Sequence, residues 1–316
     1  MKVLITGGCG YIGTVLTKQL LNNEHTVTVV DTQWFGNHLE PHPKLSIHKH
    51  DVRDIQAIPL GGVEVIVHLA NVANDPAVEL NPALSWEVNV LAAQQLADLA
   101  AREGVKQIIF ASSGSVYGVK DEPQVTEDLT LVPISIYNKT KMVAERVFLS
   151  YRNCMLIHCI RPATVCGWSP RMRLDVSVNM LTMQALQNGE MTVFGGQQTR
   201  PNIHILDMVG VYTHFINRSE IPSGCYNAGF ENISILDIAK KIQSKVPSEI
   251  LVTESNDPRS YRQNSSKLRE TGFEPRYGVA NAMDELIEKY RSKELVESDR
   301  SHTVKWMKHL NLDLQK

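Results

Sequence analysis

The sequence predicts an α/β protein: a doubly wound parallel sheet followed by a smaller α/β lobe. Three observations carry this. Short β-branched runs alternate with helical patterns through the first two-thirds of the 316 residues, and such alternation gives right-handed βαβ units. The first apolar strand runs directly into spaced glycines and a helix, the local signature of a nucleotide-binding turn. After about Arg161 the rhythm breaks into short strands, helices and Gly- or Pro-bearing loops.

Strands are expected at 3–5, 26–30, 45–48, 63–68, 107–111 and 155–160, read as buried on both faces because their apolar runs are nearly continuous. Helices are expected at 12–22, 82–103 and 135–152. Beyond them, strands at 192–194 and 250–252 mix with helices at 176–188 and 235–245. The division that follows is a nucleotide-binding domain over 1–165, to which 203–232 returns with a sheet-like unit at 203–217. A second lobe takes 166–202 and 233–316, and the charged tail from Lys289 reads as a solvated helix.

Composition narrows the partners. Lys and Arg total 32 against 34 Asp and Glu, a balance that gives no footprint for nucleic acid or an anionic membrane. The five cysteines lack a Cys-x-x-Cys spacing and the histidines lack metal-ligand spacing, so neither a disulfide framework nor a metal site is expected. No stretch is long and apolar enough to span a bilayer, and glycine arrives too early for a signal peptide. A cytoplasmic protein is the expectation.

The N-terminal turn reads Gly7-x-x-Gly10-x-x-Gly13, with Tyr11 and Ile12 opening the helix. Gly7 and Gly10 allow a tight turn and close approach to a pyrophosphate, and Gly13 allows close helix–sheet packing. The helix start offers free N–H groups to the anion. Asp31 closes the second strand, where a carboxylate accepts from ribose hydroxyls and repels a 2′-phosphate. Thr32 and Gln33 follow it where a 2′-phosphate binder would place Arg, so NAD is expected over NADP.

Tyr137 and Lys141 stand four residues apart in a helical segment, one turn apart on one face. An ammonium so placed stabilises a phenolate and brings a group of reference pKa ~10 toward neutral pH. Ser112 and Ser113 end the strand upstream. By itself the spacing is common; the company of the glycine turn and the serines gives it weight.

In this order, the motifs make the chain resemble the extended short-chain dehydrogenase/reductase superfamily, in its nucleotide-sugar epimerase/dehydratase branch. The resemblance covers nearly the whole chain and implies a Rossmann-like domain, bound NAD and a nucleotide-diphosphate sugar as substrate. It makes Ser113, Tyr137 and Lys141 the catalytic trio and puts Asp51 and Val52 beside the adenine. His68-Leu69-Ala70 resembles the end of the fourth strand, where Leu69 and Ala70 touch the cofactor, although Asn71 replaces the usual Ala. Arg161-Pro162 resembles the closing strand. Asn179, Arg200 and Arg259 resemble the residues on the substrate diphosphate, with Pro201 and Asn202 departing from the family segment; Arg171 and Arg173 are loop candidates only.

His68 reads equally as a core histidine, Tyr117 as packing or a substrate contact, Asn89 as structural or near the cofactor, and His204 as an ordinary histidine. Gly114 and Ser115 stand where 4,6-dehydratases carry an Asp-Glu pair, and Ser115 replaces the Cys of the 3,5-epimerase type. Cys166 replaces the usual tyrosine of the sugar pocket.

The implied activity is an NAD-dependent nucleotide-sugar epimerase inverting C4 through a 4-keto sugar. The alternative is an NAD(P)H-dependent 4-ketosugar reductase; a 4,6-dehydratase or a non-catalytic dinucleotide-binding protein fits less well. In relatives the helices at 82–103 and 135–152 pair into a four-helix bundle, so a homodimer is expected.

Overall fold

The computed structural model describes residues 1–254 and 260–312. In the first part of the chain, β1 (Lys2–Thr6), α1 (Tyr11–Asn22), β2 (Thr26–Asp31), β3 (Leu45–Lys49) and β4 (Val65–His68) alternate strand and helix. Then come α2 (Asp75–Leu80), α3 (Pro82–Trp86), α4 (Ala92–Arg102), β5 (Gln107–Ala111), α5 (Ile136–Ser150) and β6 (Leu156–Pro162). The remainder holds β7 (Thr164–Cys166), α6 (Ser177–Asn188), β8 (Glu190–Phe194), β9 (Thr199–His204), α7 (Ile205–Ile216) and β10 (Gly224–Ala228). It closes with β11 (Glu231–Ser234), α8 (Ile235–Gln243), β12 (Glu249–Thr253), α9 (Ser266–Glu270), α10 (Val279–Arg291) and α11 (Thr303–His309).

Seven strands form one parallel sheet in the order β10-β6-β5-β4-β1-β2-β3. Alternate side chains of β1 face opposite layers. Val3 and Ile5 pack with Leu16 and Leu20 of α1 and Met208 and Phe215 of α7. Leu4 packs with Leu96 and Ala97 of α4 and Phe148 of α5. Both faces are thus covered, which is why the inner strands are continuously apolar. β3 departs from that expectation: as the edge strand it is only partly buried.

Two further differences have physical causes. The helix expected over 82–103 is broken by a π turn at Glu87–Leu91, which carries Asn89; its side chain braces the backbone of Val72, accepting from the N–H at 2.8 Å and donating to the carbonyl at 3.2 Å. The unit at 203–217 is mostly helical: β9 ends at His204 and pairs with β7 and β11 in a small separate sheet, while α7 covers the large one. It is β10 that rejoins the large sheet, beside β6.

The second lobe has its own core, in which Val178 and Leu181 of α6 meet Ile238 and Ile242 of α8 and Met283 of α10. The tail is no solvated helix. α11 turns back onto the first domain, where Met307, 1% exposed, packs with Val52, Val72, Ala77 and Val88, flanked by Val304, Trp34 and Phe35.

Candidate active site

One cavity of about 420 Å³ runs along the C-terminal ends of β1, β2, β4 and β5, where an open parallel sheet binds its ligands. Gly7, Gly10, Tyr11, Ile12 and Gly13 form its floor. Gly7 has φ +76°, and a Cβ there would lie 2.6 Å from the Ala70 nitrogen; a Cβ on Gly13 would lie 2.3 Å from the Gly7 carbonyl oxygen. Only glycine lets the turn and the helix start approach so closely. This cradle fits a dinucleotide pyrophosphate.

Asp31, Asp51, Val52, Leu69 and Ala70 also line the cavity. Asp31 Oδ2 accepts from the Cys9 N–H at 2.9 Å and Oδ1 from the Gln33 N–H at 2.6 Å. Burial nevertheless holds its carboxyl above the usual carboxylate range. Asp51 is paired with Arg53 at 2.9 Å at the rim.

Ser113, Tyr137 and Lys141 lie in the same cavity wall. The short strand β5 ends at Ala111, so Ser113 caps the turn at 114–117 and its hydroxyl shares a hydrogen bond of 2.7 Å with Ser115. Ser135 caps α5, accepting from the Asn138 N–H at 3.1 Å and fixing the helix start that carries Tyr137. Burial raises the Tyr137 phenol to about 12, while a hydrogen bond with Ser113 and the Arg173 charge pull the other way.

Lys141 stands one turn further along the same helix. Its Nζ donates to the Ala111 carbonyl oxygen at 2.7 Å and stands 5.9 Å from the Tyr137 ring centroid. Burial draws this ammonium down to about 7. The same burial, and then Lys141, push the His68 imidazole down to about 3, so His68 is a neutral core residue whose Nδ1 meets Thr6 Oγ1 at 2.7 Å.

Behind the serines lies a buried polar cluster. Arg161 forks onto Glu145, Nε to Oε1 at 2.9 Å and Nη2 to Oε2 at 2.8 Å, and donates to Tyr117 Oη at 2.7 Å. Tyr117 in turn donates to Asn227 at 2.8 Å. Tyr117 is fully buried and belongs to packing. His204 caps α7 through Nδ1, which accepts from the Leu206 N–H at 3.2 Å.

Of the expected substrate residues, Arg200 lines the cavity, and Arg259 lies outside the described residues. Asn179 stands behind that wall. It is fully buried and absent from the cavity wall, its Oδ1 accepting from the Gly167 N–H at 3.0 Å. Its Nδ2 donates to Tyr11 Oη at 3.1 Å and to the Arg173 carbonyl at 2.9 Å. The amide is consumed in bracing the seam between the lobes.

Arg171 and Arg173 are not loose-loop residues but wall residues. Arg173 Nε pairs with Asp175 at 2.9 Å. Against burial, Arg173 and the Thr303 hydrogen bond hold the Asp175 carboxyl down to about 2. Thr303, Met307, Trp34 and Phe35 complete the wall and were missed from sequence. Val304 and Met307, spaced three apart in a charged tail, are the apolar stripe that could have signalled it.

A sequence profile of the NAD dependent epimerase/dehydratase family matches residues 3–229. The chain belongs to that family. A UDP-glucuronic acid decarboxylase 1 of Danio rerio is 30% identical over 312 residues, covering 93% of this chain and 73% of the relative. A UDP-glucose 4-epimerase of Corynebacterium glutamicum is 26% identical over 329 residues, covering 96% and 99%. TunA, described as a novel NAD dependent NDP-hexosamine 5,6-dehydratase, has a solved structure that is 26% identical, with a TM-score of 0.83 over 92% of this chain and 98% of that one. These similar epimerase/dehydratase proteins carry three different reaction names on one scaffold. The family uses NAD, and the glycine cradle fits it.

Proposed function

We propose that this enzyme is an NAD-dependent nucleotide-sugar epimerase that inverts C4 through a transient 4-keto sugar. The observation that carries the reading is the meeting of Ser113, Tyr137 and Lys141 in the wall of the nucleotide cavity, with Gly114 and Ser115 where elimination would need two carboxylates. NAD, when bound, supplies the acceptor and later donor of hydride. Tyr137 takes the proton of the sugar hydroxyl as its carbinol carbon becomes a ketone, and returns it when the ketone is reduced. Ser113 orients that oxygen. Lys141 adds positive charge beside the site. Reduction after the ketone has turned its other face leaves the centre inverted and the cofactor regenerated.

Arg200 is proposed to hold the substrate diphosphate, a task suited to a guanidinium fork. The exposed Trp86 and Leu91 suit pairing with a second copy of this chain along α3, α4 and α5.

A second reading is favoured by Arg173, a cation in the wall whose charge reaches Tyr137, and by the decarboxylase relative. If the sugar is a uronic acid, a ketone at C4 places the carboxylate β to a carbonyl; CO₂ then leaves with its bonding pair left as an enolate, which takes a proton at C5 before the ketone is reduced. A panel of nucleotide sugars, with hexoses and uronic acids, followed by NMR with and without NADH separates the readings. C4 inversion without added reductant is expected. Release of CO₂ with a pentose product would replace it by the decarboxylase. A strict requirement for stoichiometric NADH or NADPH would replace it by the ketosugar reductase.

A further inference from the structure

We infer that Arg171, supplied by the second lobe, binds the pyrophosphate of the dinucleotide from the side opposite the glycine turn. Arg171 is 5% exposed and lies in the cavity wall. Its guanidinium is centred 4.0 Å over the Phe35 ring, flat on the loop that follows Asp31. Its Nε–H is buried without a partner, and Nη1 makes a weak contact with its neighbour's carbonyl, Met172 O, at 3.5 Å. Among the described residues no carboxylate lies within ion-pair distance of it; the nearby Asp31 has both oxygens engaged by the Cys9 and Gln33 amides.

A buried cation without a counter-charge is costly. Burial, and then the neighbouring Arg173, draw the guanidinium down to about 9. The nearest acids are already taken, Asp175 by Arg173 and Asp31, at the ribose end, by two backbone amides; Arg171 shares the cavity with Asp31, Gly7 and Gly10, between which a pyrophosphate is held. A guanidinium facing a diphosphate forms charge-assisted bonds, and the ring beneath keeps it pre-aimed.

The segment bearing Arg171 is clamped to the C-terminal segment. The Leu174 N–H donates to Ser301 O at 2.8 Å and the Thr303 N–H to Asp175 at 3.2 Å. Trp306 Nε1 donates to Trp34 O at 2.5 Å, tying the tail to the Phe35 loop. Cofactor binding through Arg171 therefore joins both lobes and the tail around one anion, and the dinucleotide leaves only when that clamp opens.

The test measures binding in the full-length protein stripped of nucleotide, without turnover, so its outcome is separate from which sugar reaction is catalysed. Trp34 and Trp306 beside the cavity serve as fluorescence reporters, and calorimetry gives Kd. Loss of one charge-assisted contact predicts that Arg171→Met weakens NAD by about 10–100-fold and Arg171→Lys by less. Adenosine, which lacks the phosphates, should bind unchanged, and Trp306→Phe should speed NAD release. The apoprotein of Arg171→Met should melt at or above the native temperature, because a buried charge is removed. NAD binding of both Arg171 variants within about twofold of native would overturn the proposal. So would a loss confined to UDP, used as a nucleoside diphosphate probe, because Arg171 would then serve the substrate side.

Discussion

Lys141 Nζ is bonded to the carbonyl oxygen of Ala111 at 2.7 Å, so the ammonium ties α5 to the end of β5. That bond places a cation at the seam where serine strand and tyrosine helix meet. It also leaves the cation in an apolar surround, over the Phe110 ring at 4.9 Å. The cost of that burial has a pH signature.

Folding lowers the Lys141 pKa from 10.5 to about 7. A group whose folded value is depressed costs stability in full below the folded pKa, and the cost fades as pH rises toward the unfolded value. Lys141→Met should therefore lose activity yet be at least as stable as the native apoprotein at pH ~6, by up to about 1–4 kcal/mol. The advantage should shrink by pH ~10, near the unfolded value. Urea unfolding at the two values checks this; a variant clearly less stable at the lower one would refute it.

Tyr137→Phe removes the proposed proton carrier and keeps the ring. Turnover on the best substrate of the panel should fall by about 10²–10⁴-fold. NAD binding and melting temperature should stay near native. Full activity in this variant would end the mechanism.

The phenol is pulled down by Arg173 and pushed up by Asp75. Arg173→Gln should move the ascending limb of the kcat/KM pH profile to higher pH, and Asp75→Asn should move it lower. Shifts of the same sign in both variants would show that neither acts through Tyr137.

The fork of Arg161 onto Glu145 is buried, with side chains 5% and 1% exposed. Removing one partner strands the other charge. Arg161→Met should cost about 3–5 kcal/mol in urea unfolding, and adding Glu145→Leu should recover part of the loss. A double variant as unstable as the sum of both single ones would mean the two side chains act independently.

Much of the first domain was legible because it is written locally. Gly7, Gly10 and Gly13 sit where backbone meets backbone, and the β-branched runs mark strands covered on both faces. Tyr137 and Lys141 were placed by helical spacing, and Ser113 by the resemblance of its strand end to the family's. Position in the chain does not report which hydrogen bonds a side chain finally makes. Asn179 was read as a diphosphate ligand, and its amide is spent on Tyr11, Gly167 and Arg173. Helical spacing put Lys141 beside Tyr137, but its bond to the Ala111 carbonyl, 30 residues upstream, is not written in that spacing.

By itself the sequence determined the doubly wound sheet, the NAD cradle and the three residues that gather beside it. The first two follow from periodicity and glycine's missing Cβ, Tyr137 and Lys141 from the spacing of one helical turn, and Ser113 from the resemblance of its strand end to the family's. Tertiary structure alone decided which charges share the cavity. Arg171 reaches the Phe35 loop across more than a hundred residues of chain, and Met307 seals the same wall from the far end of the sequence. Such neighbours are set by how two lobes and a tail pack together, and packing between distant segments leaves no periodic mark in the chain.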